Sequence, residues 1–406
     1  MNSIVNKNIK ILIQFIIGIV FVTNLLVSEI SNYKTYSFYL KSISILILIL
    51  FCVVDYKLNK DEFSKINIFE SKWFGFVLVS FVFLPTISLF YSGNVIFGML
   101  KIVYLLISTI PTILVFYYLL VTASEERIRI FLKSIICFGL VFAISSLIFS
   151  PFNPSTVYSF EFSRWSHVIS GRFLGTITVI VLLSHFTDLI ESKFTMIIVS
   201  TLLLTSTYFV GLRAALLGIS IILIFILIFS LITKNNKCLL TIILSVGFSF
   251  LIILLINKSN DHSTERYNKL LTYQEGEFDD GAINARMIAY EVSWENIKKS
   301  PFLGIGFGGF YNKQVSGEIA NIKYPHNLIV EIQLELGLIG LVYFGILIAV
   351  MLSIAYKYSK SFFVFLIFSL WLAMFSKDIA TQTQLWIGLA LLGIPRKEQR
   401  NRGMLK

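Results

Sequence analysis

His326 is one of four histidines in the 406-residue chain, and with Pro325 and Asn327 it heads a long apolar run, LIVEIQLELGLIG. An imidazole exchanges a proton near neutral pH, so a neutral histidine here suits a general base for a hydroxyl. It serves equally as an interfacial residue capping a helix. With Pro325 in a first turn, where its missing N–H costs little, a helix runs inward from His326. At ~100° per residue His326 and Gly337 then share a face to within about 20°, with Gly340 about 40° to the other side. Glu331 and Glu335 fall roughly opposite, at about 140° and 180°. The histidine would thus head a glycine groove that another helix or a lipid chain can approach closely.

Arginines supply the other candidate chemistry. In AINARMIAYEVSWENIKK, residues 282–299, the positions Ile283, Met287, Tyr290, Trp294 and Ile297 recur at intervals of four and three, which predicts an amphipathic helix. Arg286 lies about 60° from the centre of that stripe. Its planar fork suits bidentate contact with a phosphate, and the same side chain can snorkel from a helix lying at the headgroups. Arg213 stands in YFVGLRAALLG. An arginine at mid-bilayer costs ~2.5–3.5 kcal/mol, so it belongs near a membrane edge, snorkelling, or in a polar cavity. Arg164, His167 and Arg172, in PFNPSTVYSFEFSRWSHVISGR, form a second basic and aromatic cluster. The aromatic residues there also fit an interfacial belt. Gly304, Gly306 and Gly309 match a dinucleotide fingerprint in form only, because a helix precedes them and an apolar span follows, without the required βαβ unit. A close-packed re-entry of the loop to the membrane accounts for these glycines better.

What must position these residues is a membrane scaffold. Hydrophobic residues make up 56% of the chain and charged residues 14%, with a mean hydropathy of +0.81, a composition that a soluble domain cannot bury. Runs of the ~20 apolar residues needed to cross hydrocarbon recur along the sequence and predict an all-α polytopic protein of about twelve spans. The first run reads as a retained signal-anchor. Residues 194–231 carry one charge, Arg213, and are about twice the length of one crossing, so they divide into two helices at Val210-Gly211-Leu212-Arg213. The order along the chain is nine spans over 1–256, a large polar loop over 257–325, then three spans and a basic tail over 326–406.

Nineteen of the thirty-four Lys and Arg residues fall on one set of loops when both termini are cytoplasmic. Seven, including Lys41, Lys101, Arg172, Arg213 and Lys377, fall in short outer loops and adjoining helix ends. The net charge of +11 is thus largely topological, and no nucleic-acid partner is expected. Cys52, Cys137 and Cys238 lack the spacing of a metal or disulfide framework.

His326-Asn327, nine residues, then Gly337-Leu338-Ile339-Gly340 resembles the His-Asn-x9-Gly-x-x-Gly pattern of the bacterial O-antigen ligase and O-antigen polymerase superfamily. Arg213 is similar to that family's outer-face arginine, and Arg286 to the arginine of its large periplasmic loop. The resemblance covers roughly residues 200–345. It implies a GT-C-like, metal-independent glycosyltransferase of the bacterial inner membrane, without a cofactor, acting on an undecaprenyl-diphosphate-linked glycan donor. By that resemblance Arg213 and Arg286 would neutralise the diphosphate, and His326 would orient or deprotonate the acceptor hydroxyl. Asn327, Gly337 and Gly340 would lie at the substrate, and Arg164, His167 and Arg172 would contact the glycan. The acceptor would be a second lipid-linked glycan in a polymerase or lipid A core in a ligase, and a chain-length regulator and a flippase are the implied partners. The Pro301-x-x-Gly304-x-Gly306 turn is more similar to surface-polysaccharide polymerases. A transporter is the reading from another class, but the charges gather around one long loop rather than at mid-membrane.

The charge distribution makes a direct topological prediction. A periplasm-active reporter fused near Thr264 should be active and one at Asn235 silent; the reverse pattern would overturn the orientation.

Overall fold

The computed structural model describes residues 2–28, 35–60, 72–122, 124–149, 167–184, 189–257, 273–274, 277–278, 281–312 and 322–394. Each predicted apolar run contains helix. In order these are α1 (Asn2–Ser28), α2 (Thr35–Leu58), α3 (Lys72–Ser88), α4 (Val95–Tyr104), α5 (Ile110–Thr122), α6 (Glu125–Phe149), α7 (His167–Leu183), α8 (Lys193–Val210), α9 (Arg213–Ile232) and α10 (Asn236–Asn257). The long loop then contributes α11 (Gly281–Lys299), and α12 (Leu328–Tyr358), α13 (Lys360–Ala373) and α14 (Thr383–Trp386) follow, the last running on as a 3-10 turn over Ile387–Gly393. A two-residue antiparallel pair, Tyr273–Gln274 with Glu277–Phe278, precedes α11.

Among the described residues nine helices are long and apolar enough to cross a membrane, one of them the continuous Val95–Thr122. Three further apolar helices, Val168–Leu183, Lys360–Ala373 and Thr383–Gly393, are shorter than a standard crossing. The chain is a polytopic all-α membrane protein. The turn expected near Arg213 is present: α8 ends on Gly211 in the left-handed conformation (φ 74°), and its N–H donates to the Tyr208 carbonyl at 2.9 Å. Glycine suits this C-terminal position because it has no Cβ to clash there.

The helices form two compact units, each discontinuous in sequence. The first comprises Met1–Val22, Glu126–Asp279 and Ile367–Leu372. Its helices approach through small residues, Gly171 lying against Leu212 and Gly175 against Ala215 and Phe368, the packing that apolar solvent favours. Hydroxyls cross between its helices as well: Ser206 donates to the Ala143 carbonyl at 3.1 Å, and Ser249 to that of Thr201 at 3.2 Å.

The second unit comprises Thr23–Glu125, Asp280–Leu366 and Ala373–Lys406. Phe81, Phe344 and Trp386 form an aromatic core with ring centroids 5.1–5.6 Å apart. A π-helical turn, Leu105–Thr109, joins α4 to α5 and lets Thr109 donate to the Ala380 carbonyl at 2.7 Å.

The feature that organises this unit is a break in α12. Gly337 has φ 65° and ψ −165°, so the helix running inward from the histidine is not continuous. The loop after α11 fills the gap. Ile305 and Gly306 donate to the Leu334 and Glu335 carbonyls at 2.8 and 3.0 Å, while Leu338 and Ile339 donate to those of Pro301 and Phe302 at 2.9 and 3.4 Å. Four backbone groups freed by the break therefore find partners, as an apolar setting demands. The close re-entry inferred from the Gly-x-Gly-x-x-Gly pattern is what these bonds describe, and Gly304, Gly306 and Gly308 all have positive φ.

Two geometric expectations are corrected. His326 and Gly337 do not share a face of one helix, because α12 starts at Leu328 and breaks at Gly337. The glycine groove is filled by the chain's own Phe302 and Gly304, which a Cβ on Gly337 would strike, while a Cβ on Gly340 would meet Leu336 of the same helix. In α11 the packed face is turned away from most of the predicted apolar stripe, of which Ile297 packs against the Ala289, Phe310 and Leu334 cluster. Met287 and Trp294 are exposed, and Ala289, Ser293 and Asn296 are buried instead, because α12 and its loop accept small residues at close range.

Gly337→Ala should lower the thermal unfolding midpoint in detergent, since that backbone region is essentially restricted to glycine and costs about 1–3 kcal/mol before the clash is added. Gly345→Ala, on the same helix with open space around it, should leave the midpoint unchanged or raise it slightly.

Candidate functional site

His326 adopts a left-handed backbone conformation (φ 61°), uncommon for a residue with a side chain. It is held there by its neighbour. Asn327 caps α12, its side-chain oxygen accepting the N–H groups of Ile329 and Val330 at 3.0 and 3.2 Å, as an N-cap asparagine does. The amide oxygen expected at the substrate is therefore engaged by the chain itself. The imidazole lies 4.4 Å from the Tyr324 ring, centre to centre, and its Nδ1 is buried without a hydrogen-bond partner.

Arg286 belongs to the same unit. It precedes the buried Ala289 and Ser293 by three and seven residues, which places it between the packed side of α11 and the apolar stripe that it flanks. Its Nη2 donates to the Phe375 carbonyl at 3.4 Å, and its Nε is buried without a hydrogen-bond partner. Burial is the main influence on His326, and the Arg286 charge adds to it. Together they push the imidazole pKa down to about 4, against an upward pull from Asp378. A neutral base beside a cation can take a proton while the cation steadies a nearby anion.

A second set of charges lies behind this pair, and the sequence did not expose it. Lys101 of α4 is fully buried, its Nζ 2.6 Å from Glu331 Oε1 and 2.6 Å from Glu335 Oε2. The other oxygen of Glu331 accepts the Ile379 N–H at 3.0 Å. Asp378, just before it, caps the 379–381 turn by accepting the Thr381 N–H at 2.9 Å. Periodicity left the partner of the two glutamates unidentified. The charge pattern groups Lys101 with outer loops and adjoining helix ends, whereas it lies in the second turn of Val95–Thr122. Two glutamates four apart in an apolar run were the available signal, since such residues need a partner.

In the other unit Arg172 lies within α7, fully buried, and Nη1 donates to the Leu372 carbonyl at 2.9 Å. It is not a residue of an open loop. Arg213 is the first residue of α9, and the packing of Gly171 against Leu212 brings the two arginine-bearing ends side by side. His167 begins α7, and Arg164 lies outside the described residues.

The histidine generates a pH prediction. Its folded pKa lies below the ordinary value of 6.5, so between those values the unfolded chain binds more protons. Its contribution to stability is complete above about pH 6.5 and is lost as pH falls toward about 4. Thermal unfolding in detergent should show His326→Gln losing less stability than the wild type across that interval; parallel curves would exclude a buried neutral imidazole.

Comparison with known families adds an independent finding. Residues 194–345 match the O-antigen ligase family, a segment that contains Arg213, Arg286, His326, Gly337 and Gly340 and leaves out Lys101, Arg172 and Asp378. Among curated proteins none matches the chain. The half-buried histidine and arginine both lie inside the matched segment, so it is residues 194–345, with the candidate chemistry among them, that are similar to the O-antigen ligase family.

Proposed function

We propose that this multi-pass protein is a polymerase of surface polysaccharide, which transfers an undecaprenyl-diphosphate-linked glycan onto the next lipid-linked repeat unit. The reading places it in the bacterial inner membrane with both termini cytoplasmic and the reaction on the outer face. The observation that carries it is the half-buried His326, on which the Arg286 charge acts, within a segment matching the O-antigen ligase family. In this reaction an acceptor hydroxyl attacks the anomeric carbon, and the bond from that carbon to the diphosphate oxygen breaks. The electron pair leaves on the diphosphate, and the hydroxyl proton passes to the imidazole. Arg286 neutralises the departing charge in a site that protein has already desolvated, where a fixed cation is worth more than in water. Arg213 keeps its assignment to the donor phosphates, and Arg164, His167 and Arg172 theirs to the glycan, from the family resemblance alone. On this reading the protein's cations do the work that a metal does elsewhere.

A ligase acting on lipid A core is the second reading, and the match of residues 194–345 to the O-antigen ligase family is compatible with it. The two share donor chemistry and differ in acceptor. Deleting the gene and resolving lipopolysaccharide by electrophoresis separates them: loss of a polymerase leaves core with one repeat unit, and loss of a ligase leaves bare core. His326→Ala and Arg286→Ala should each reproduce the deletion pattern at normal protein level. An unchanged ladder would remove both residues from the reaction.

A further inference from the structure

We propose that Lys101 is a positioning residue for His326, acting through Glu331 to hold the turn that bears Asp378 against the start of α12. The proposal rests on the reading of His326 as the base.

Four contacts carry it. The Lys101 ammonium is fully enclosed, bridging Glu331 and Glu335 at 2.6 Å each, with the Phe307 ring centroid 4.3 Å away. Glu331 divides its oxygens between two elements, one on Lys101 and one on the Ile379 N–H. The Glu331 N–H donates to the Asn327 carbonyl at 2.9 Å, so this glutamate closes the turn of α12 that begins beside His326. From the far side the 379–381 turn is gripped by Thr109 of the π-helical segment through the Ala380 carbonyl. Lys101 therefore joins α4, the broken helix, the re-entrant loop and the Asp378 turn at one point. The charges that act on His326, Arg286 and Asp378, come from two different elements, and Asp378 keeps its place only if that turn does.

A purely stabilising role is the competing account. Neutral or apolar groups of similar volume replace buried ions with little loss, and often with a gain, in stability. Such a replacement preserves the fold without reproducing a fork that reaches two glutamates and, through one of them, a third element.

The test uses the full-length chain in a strain lacking its own copy, with lipid-linked glycan extracted from that strain as donor for the purified protein. Variants are compared per unit of monodisperse protein. The triple variant Lys101→Met, Glu331→Gln, Glu335→Gln removes the ions together. It should keep the wild-type unfolding midpoint within a few degrees and lose about tenfold in kcat, with KM for the donor within about twofold. Lys101→Arg should restore most of the rate. Ile379→Pro removes the N–H that Glu331 accepts while leaving all charges in place, and it should show the same loss, which covers the case in which the triple variant fails to accumulate. Wild-type kcat in either the triple variant or Ile379→Pro would overturn the proposal. Full activity in His326→Ala would instead overturn the reading on which it rests, so the two failures are distinguishable.

Discussion

The second unit depends on the backbone repair at Gly337. A helix in an apolar setting cannot leave N–H and C=O groups unpaired without a cost of several kcal/mol each. Here four such groups are recovered by a loop 29 to 37 residues earlier in the sequence. The pairing ties α11 to α12, because the loop that fills the break is the direct continuation of the helix carrying Arg286. It also ties both to the end of α3, where Tyr91 donates to the Leu303 carbonyl and Ser92 to that of Phe307. His326 and Arg286 are thus held in one frame by main-chain bonds, which side-chain substitution leaves largely intact.

Behind that frame the ion cluster settles which arrangement of the polar cap is allowed. Removing one partner from a buried ion pair costs about 3–5 kcal/mol, while the intact pair adds little net stability. The cluster therefore penalises alternatives more than it strengthens the native packing. Two carboxyl groups share one ammonium, and the Glu331 oxygen that is not on Lys101 accepts a backbone N–H.

Much of this was legible in the sequence. Helix existence followed from composition and run length, and the division at Gly211 followed from the excess length of one run. Close packing of the glycine-rich loop followed from rejecting its nucleotide-binding resemblance. The break at Gly337 was not legible, because angular bookkeeping at ~100° per residue presumes an unbroken helix. For the same reason Gly337 read as half of an open groove when it is the point where the groove is filled. The rotation of α11 was hidden because an apolar stripe is expected to be the packed one, and here Ala289 and Ser293 allow the closer approach. Lys101 was hidden by a one-dimensional rule that counts charge near helix ends and takes no account of what a neighbouring helix offers. Arg172 shows the same limit, since a cluster of basic and aromatic letters does not reveal that the last of them lies inside a helix.

The length of α12 carries a consequence for where a reaction can occur. At 1.5 Å per residue its 31 residues extend about 46 Å, well beyond the ~30 Å of hydrocarbon. The stretch from Leu338 to Tyr358 by itself matches that thickness, and up to Val350 its exposed side chains Leu338, Ile339, Val342, Ile346 and Val350 are apolar. The remaining turns, with His326 at their tip, rise about 15 Å beyond the break. One headgroup layer is about 5–8 Å deep, so α12 has length enough to cross the hydrocarbon and still carry its histidine end to the level of the headgroups or past it.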